Sequence, residues 1–195
     1  MAYAGVVYSR QIDGKERSFG VSGLLYRSNV LMYDHGSESL WSQVRGEAVT
    51  GPLTGTELTV LPSTLTTWAK WRRQHPGTSV LSPRTGYARN YDLDPYLDYY
   101  EKQSGFRSFF KLGPGEKEKE LVVGVEIDGI AKAYPLAGIK QAGALEDNLA
   151  GTKLTLRFDA PTDALSVVDG SGRRIAHMAV YWFVWKAIWP ETARY

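Results

Sequence analysis

Short apolar runs broken by turn residues fill the chain as far as residue 62. "GVVYSRQI" and "KERSFGVSGLLY" are separated by Asp13-Gly14, a tight-turn dipeptide. Arg27-Ser28-Asn29 and "DHGSES" bracket "VLMY", and Gly46, Gly51-Pro52 and Gly55 punctuate the stretch after "LWSQ". Runs this short leave helices no room and predict a β-meander.

The period changes at Pro62. In "LPSTLTTWAKWRRQHPGTSVLSP", Ser63 or Thr64 offers an N-cap oxygen to the first free amides of a helix. Leu65, Trp68, Ala69 and Arg72 share one face, with Trp71 and His75 beside Trp68 at helical spacing. Arg72 and Arg73 place positive charge in the last turn, and Pro76 drives the residue before it out of the helical region. The spacing predicts a helix over residues 64–75. A stretch rich in Tyr, Gly, Pro and charge comes next, reading as an irregular loop or linker that ends in a solvated charge run at residues 116–120. "LVVGVEIDGIAKAYPL" then predicts a hairpin around Asp128-Gly129. "AGIKQAGAL" fits a short helix, and "TKLTLRFD" and "ALSVVDGSGRRIAHM" fit strands with a turn at Asp169-Gly170.

"WFVWKAIWPET" near the C-terminus superimposes on "WAKWRRQHPGT" at a constant offset. Trp182 matches Trp68, Trp185 matches Trp71, Trp189 matches His75, Pro190 matches Pro76 and Thr192 matches Thr78. The chain therefore reads as two unequal copies of one unit, each closing with an aromatic helix and a proline stop. The expected fold is α+β, mainly β: a first half over residues 1–105, a linker over 106–120 and a shorter second half over 121–195. Because Trp189 stands where His75 does, the economical reading makes both helices packing elements rather than ligand platforms.

Composition narrows the chemistry. A net charge of +2 is too small to argue for nucleic acid, and the pairs Arg72–Arg73 and Arg173–Arg174 read as solvated faces. The absence of cysteine excludes thiol nucleophiles, disulfides and cysteine-held metal. No apolar stretch reaches the roughly 20 residues of a spanning helix. "MAYAGVVYSRQIDG" lacks the basic start and apolar run of a signal peptide, and the compartment stays open.

The candidate catalytic groups are few. "GVSGL" fails as a nucleophile elbow because Leu24 stands where glycine is required, so Ser22 reads better as a small residue at a bulge. His35 falls in a polar turn and His177 on a late strand. Asp92, Asp94 and Asp98 lack the glycine and terminal glutamate of a calcium loop, and "GPLTGTELT" lacks the lysine of a phosphate loop. No metal and no cofactor are expected. Tyr87, Tyr91, Tyr96, Tyr99 and Tyr100 form the best candidate partner surface, since tyrosine joins a large apolar face to a polar tip.

"FGVSGLLYRSNVLMYD", "SLWSQ" and "GPLTGTELTVLPSTLTTWAKWRRQHPGTSVLSP" closely resemble a bacterial and archaeal family of unknown function, DUF3179. "VGVEIDGIAKAYPL" and "YWFVWKAIWPET" resemble that family's second half. The resemblance covers nearly the whole chain but implies no established activity, so it transfers no catalytic residue. Members usually carry a further unit like residues 122–147 ahead of the first copy, and often a Cys-Pro-x-Cys-type strand. This chain starts with "MAYAGVVY" and has neither, so no metal or redox role built on those cysteines is expected. Many members look exported or lipid-anchored. A missing neighbour strand would leave an unpaired edge on the first copy, to be covered by a partner or by a second copy of the chain.

Two functions stand as expectations. The favoured one is a non-enzymatic binding or accessory module that engages a protein through exposed aromatics and a free sheet edge. The alternative is a hydrolase-like or small-ligand-binding enzyme, with catalytic candidates Ser22, Asp34 and His75. Its polar pocket would draw on Tyr26, Asn29, Trp41, Ser63, Trp68 and Trp71.

Overall fold

The computed structural model describes residues 3–102 and 117–195. The linker expected over 106–120 therefore lies outside the described residues up to position 116, as does the start of the charge run. The fold is α+β and mainly β.

Turn chemistry builds the first half. β2 (Gln11–Ile12) and β3 (Lys15–Glu16) form a hairpin on Asp13 and Gly14, whose φ values of 51° and 72° are those of a type I′ turn. β4 (Phe19–Tyr26), β5 (Asn29–Asp34), β6 (Leu40–Ser42) and β7 (Ala48–Thr50) come after it as an antiparallel meander in that order. β1 (Val7–Tyr8) pairs antiparallel with β8 (Val60–Leu61) and closes this half. Its core is small: Ile12, Trp41, Ala48 and Leu58 are buried together. α1 (Trp68–Gln74) and α2 (Leu97–Glu101) come next, so the tyrosine-rich stretch expected to be irregular contains one short helix.

The second half has three layers. β9 (Leu121–Ile127) and β10 (Ile130–Pro135) form the central hairpin, flanked by β14 (Met178–Tyr181) and by β15 (Ala193–Arg194). β11 (Ala144–Leu149), β12 (Thr152–Asp159) and β13 (Ala164–Asp169) make a separate antiparallel sheet. α3 (Leu136–Ala142) joins β10 to β11, and α4 (Trp182–Ile188) succeeds β14. The run Val122–Val125 is buried throughout because β9 is covered on both faces. Val122 packs with α4, while Val123 and Val125 pack with Leu154, Leu156 and Ile139 from the other layer. This is why β9 lacks the alternating polar positions of a half-solvated strand.

The halves are tied together. Val44 belongs to the α4 cluster, and Arg27 Nη1 donates to the Ala187 carbonyl at 3.0 Å, at the negative end of α4. Thr66 Oγ1 donates to the Thr162 carbonyl at 2.6 Å, and Lys70 Nζ to the Ala160 carbonyl at 2.8 Å. Among the described residues, no helix is long and apolar enough to cross a membrane.

Two expectations about the first helix are corrected. It starts at Trp68, capped by Thr67 Oγ1 rather than by Ser63 or Thr64, because the chain enters the helix only at Thr67, itself still extended, and Leu65 and Thr66 lie outside it. It is also not core material. None of its residues is buried, and Trp68 and Trp71 stay 46% and 38% exposed.

Candidate functional site

α1 and α4 share one local construction. Each spans seven residues, and each is closed by a C-cap amide on the carbonyl of its second tryptophan: His75 on Trp71, Trp189 on Trp185. Trp71 Nε1 donates to Thr78 Oγ1 at 3.0 Å, and Trp185 Nε1 donates to Thr192 Oγ1 at 2.9 Å. The Trp71–His75 rings lie 4.0 Å apart and tilted by 35°, and the Trp185–Trp189 rings 3.9 Å apart and tilted by 33°. The proline after each cap cannot continue the helix, so the chain turns back and brings the threonine under the indole.

The surroundings differ. Trp185 is fully buried against β9, where an added Cβ on Gly124 would stand 2.0 Å from the indole ring. Thr192 Oγ1 in turn donates to the Ala131 carbonyl of β10 at 3.1 Å, and β15 begins at once, parallel to β10. β14, leading into α4, pairs antiparallel with β9. Around α1 no described residues form a comparable cover. Thr64–Thr67 and Ser79–Val80, which occupy the places of β14 and β15, enter no strand pairing among the described residues. Val80 and Leu81 are 72% and 95% exposed.

A second apolar surface lies on β4. This strand pairs with β5 and stands at the edge of its sheet. Val21, Leu24 and Leu25 are all exposed on it. The register shifts between Val21 and Leu25, and Ser22 Oγ donates to the Leu31 carbonyl at 2.7 Å while accepting the Leu24 amide. Ser22 thus sits at a bulge and spends its hydroxyl on the sheet.

The other candidates for the polar pocket do not converge on His75. Asp34 is buried and accepts from the Gly36 and Ser37 amides, the Ser37 hydroxyl, the Trp41 indole and Arg17. Burial alone would raise its pKa, but these donors outweigh it and hold the group at about 2. A carboxylate this saturated organises the β5–β6 turn and has no lone pair left for a substrate. Asn29 is buried on Gln43, and Trp41 is fully buried. Tyr26 is at the surface under Arg27, and His75 is exposed beside Trp71. Among the described residues, His75 shares no hydrogen bond with a carboxylate or hydroxyl, and no cluster of metal-ligating side chains occurs.

A sequence model of the family described as a protein of unknown function, DUF3179, matches residues 1–170. The chain belongs to the DUF3179 family. No curated protein and no solved structure matches it. The match spans the meander, α1 and the chain through β13.

Of the tyrosines singled out in this DUF3179 chain, Tyr87, Tyr91, Tyr96 and Tyr100 are exposed, and Tyr99 packs against the α4 cluster. They share the surface with Leu93 and Leu97, also exposed. Ser63, read as a pocket residue, does line a cavity, but a different one. That cavity also includes Lys140, Asp163 and His177, which sequence reasoning did not group. The β4 patch was missed as well, although three apolar side chains beside a glycine in "VSGLL" were its signal.

Proposed function

We propose that this DUF3179 protein is a non-enzymatic binding module whose α1 face receives a glycine-bearing β-hairpin of a partner protein. The observation behind this reading is that one local construction occurs twice, covered by strands in one place and, among the described residues, by none in the other. We read α1 and α4 as two copies of one unit. The coverage of α4 then describes what α1 lacks: an antiparallel strand beside Thr64–Thr67, a parallel one beside Ser79–Val80, and a glycine beneath Trp71. Strand addition supplies the main-chain hydrogen bonds, and the tryptophans supply the anchors. α1 carries Lys70, Arg72 and Arg73 and no acidic residue, so the partner's facing surface is acidic. The apolar edge of β4 is a second place for such pairing.

The test is photocrosslinking in the organism that makes the protein, with a benzophenone amino acid at position 71 and, as control, at exposed Lys153. Mass spectrometry of the adducts should locate the position-71 crosslink on a glycine-containing strand of another protein. A self-adduct would replace the partner by a second copy of this chain. A lone chain in native mass spectra, with no adduct specific to position 71, would refute the reading.

A further inference from the structure

A cavity of about 340 Å³ lies where the halves meet, between residues 3–7 and 63–67 on one side and β14, α3 and β13 on the other. Its walls are mostly apolar: Val6 and Leu65 from the first half face Phe158, Leu165 and Met178 from the second. The hydroxyl residues Ser63, Thr64, Thr66 and Thr67 line the first-half side, and the titratable groups His177, Lys140 and Asp163 the other. His177 is buried, and its Nδ1 stands 3.0 Å from the Ile175 carbonyl. A carbonyl only accepts, so Nδ1 carries the proton and Nε2 is left as an acceptor. Lys140 and Asp163 also line the cavity, both partly exposed, and mark its open side. Their ion pair spans 3.6 Å, too long for a good hydrogen bond, and Lys140 Nζ sits 4.6 Å above the Phe158 ring. The lysine is thus held over the apolar wall with its donor capacity largely unspent.

We propose that this cavity binds an amphiphilic carboxylate, with its apolar body against Phe158, Leu165 and Met178 and its head group on Lys140. Size, wall chemistry and the rim cation Lys140 all favour that class. A few convergent polar groups in a mainly apolar hollow between two halves are the usual makings of a small-molecule site. At the ~30 Å³ that one water occupies in the liquid, the volume takes on the order of ten non-hydrogen atoms. The acceptor Nε2 of His177 repels carboxylate oxygens, which keeps the head group out at Lys140 and the tail inward; there the head group competes with Asp163 for the ammonium. Burial lowers the His177 pKa, so its ring stays neutral near pH 7 and offers the head group no competing cation. The cavity shares Thr64–Thr67 with the partner reading but no residue of α1, and its test is read at Met178 and Leu165 rather than at the tryptophans.

The experiment is a methyl and aromatic NMR titration of the full chain with octanoate and, separately, with 1-octanol. The expected result is saturable shifts at the Met178 methyl and Leu165, with octanoate binding about five- to tenfold tighter than octanol. Lys140→Met should abolish that preference and leave octanol binding as it was. Ala179→Phe should fill the hollow and abolish both; where it fails to fold, Val6→Phe from the opposite wall serves instead. Equal affinity for the two probes in the unaltered chain overturns the proposal. So do shifts that never saturate, or shifts confined to Trp68 and Trp71.

Discussion

Truncating the same residue in each of the two helical units separates local construction from burial. Trp71→Ala and Trp185→Ala each remove an indole that donates to a threonine and stacks on the residue four places on. Trp185 is fully buried, and its loss leaves a cavity against Gly124 and removes the donor that the Thr192 hydroxyl accepts from. A buried tryptophan-to-alanine change costs about 3–5 kcal/mol. In a chain of this length that is roughly 6–20 °C in Tm. Trp71 is 38% exposed on a helix with no buried residue, so its truncation removes local contacts alone. Its cost should be about 1 kcal/mol or less. Urea unfolding followed by circular dichroism on both variants reads the difference directly. A cost above about 2 kcal/mol for Trp71→Ala would show that α1 is already covered in the isolated protein, and would refute the exposure on which its docking role rests.

Three further outcomes rest on the same structure. Gly124→Ala should destabilise by about 1–3 kcal/mol or more, because its Cβ would meet the stacked Trp185 ring rather than a flexible side-chain end; thermal melts read it, and a neutral result would mean the ring has room to move. Asp34 has a folded pKa of about 2 against an ordinary 3.8, so its ionised form stabilises above pH 4 and that contribution, about 2 kcal/mol, is lost as pH falls toward 2. Asp34→Asn should therefore unfold more easily at pH 7 and show a flatter acid limb in a pH series of urea midpoints; an unchanged acid limb contradicts the assignment. Arg27→Ala removes the donor at the last carbonyls of α4 and should cost about 1–2 kcal/mol in the same assay, with about 0.3 kcal/mol or less counting against that contact.

Local chemistry determined much of this protein. Asp13-Gly14 and Asp128-Gly129 impose positive φ at both turn positions, and short range alone places the hairpins they close. The construction around Trp71 and Trp185 is equally local, since helical spacing, a proline stop and a threonine two residues later generate the same hydrogen bond twice. Whether such a helix is buried is not a local matter, and the analogy with α4 misled on that point. A signal was present: "WFVWKAI" is apolar on nearly every side, whereas "WAKWRRQ" carries Lys70 and Arg73 opposite its tryptophans. The pocket expected around His75 needed Asp34 and Trp41 to face it, but a buried carboxylate takes its nearest donors, and those lie in its own turn. Only the tertiary structure brought Lys140, Asp163 and His177 to one cavity wall. They come from a helix, a tight turn and a strand-leading segment that meet through packing of β14 and β12–β13, and packing across such separations depends on the shape of every intervening layer rather than on any neighbouring residue.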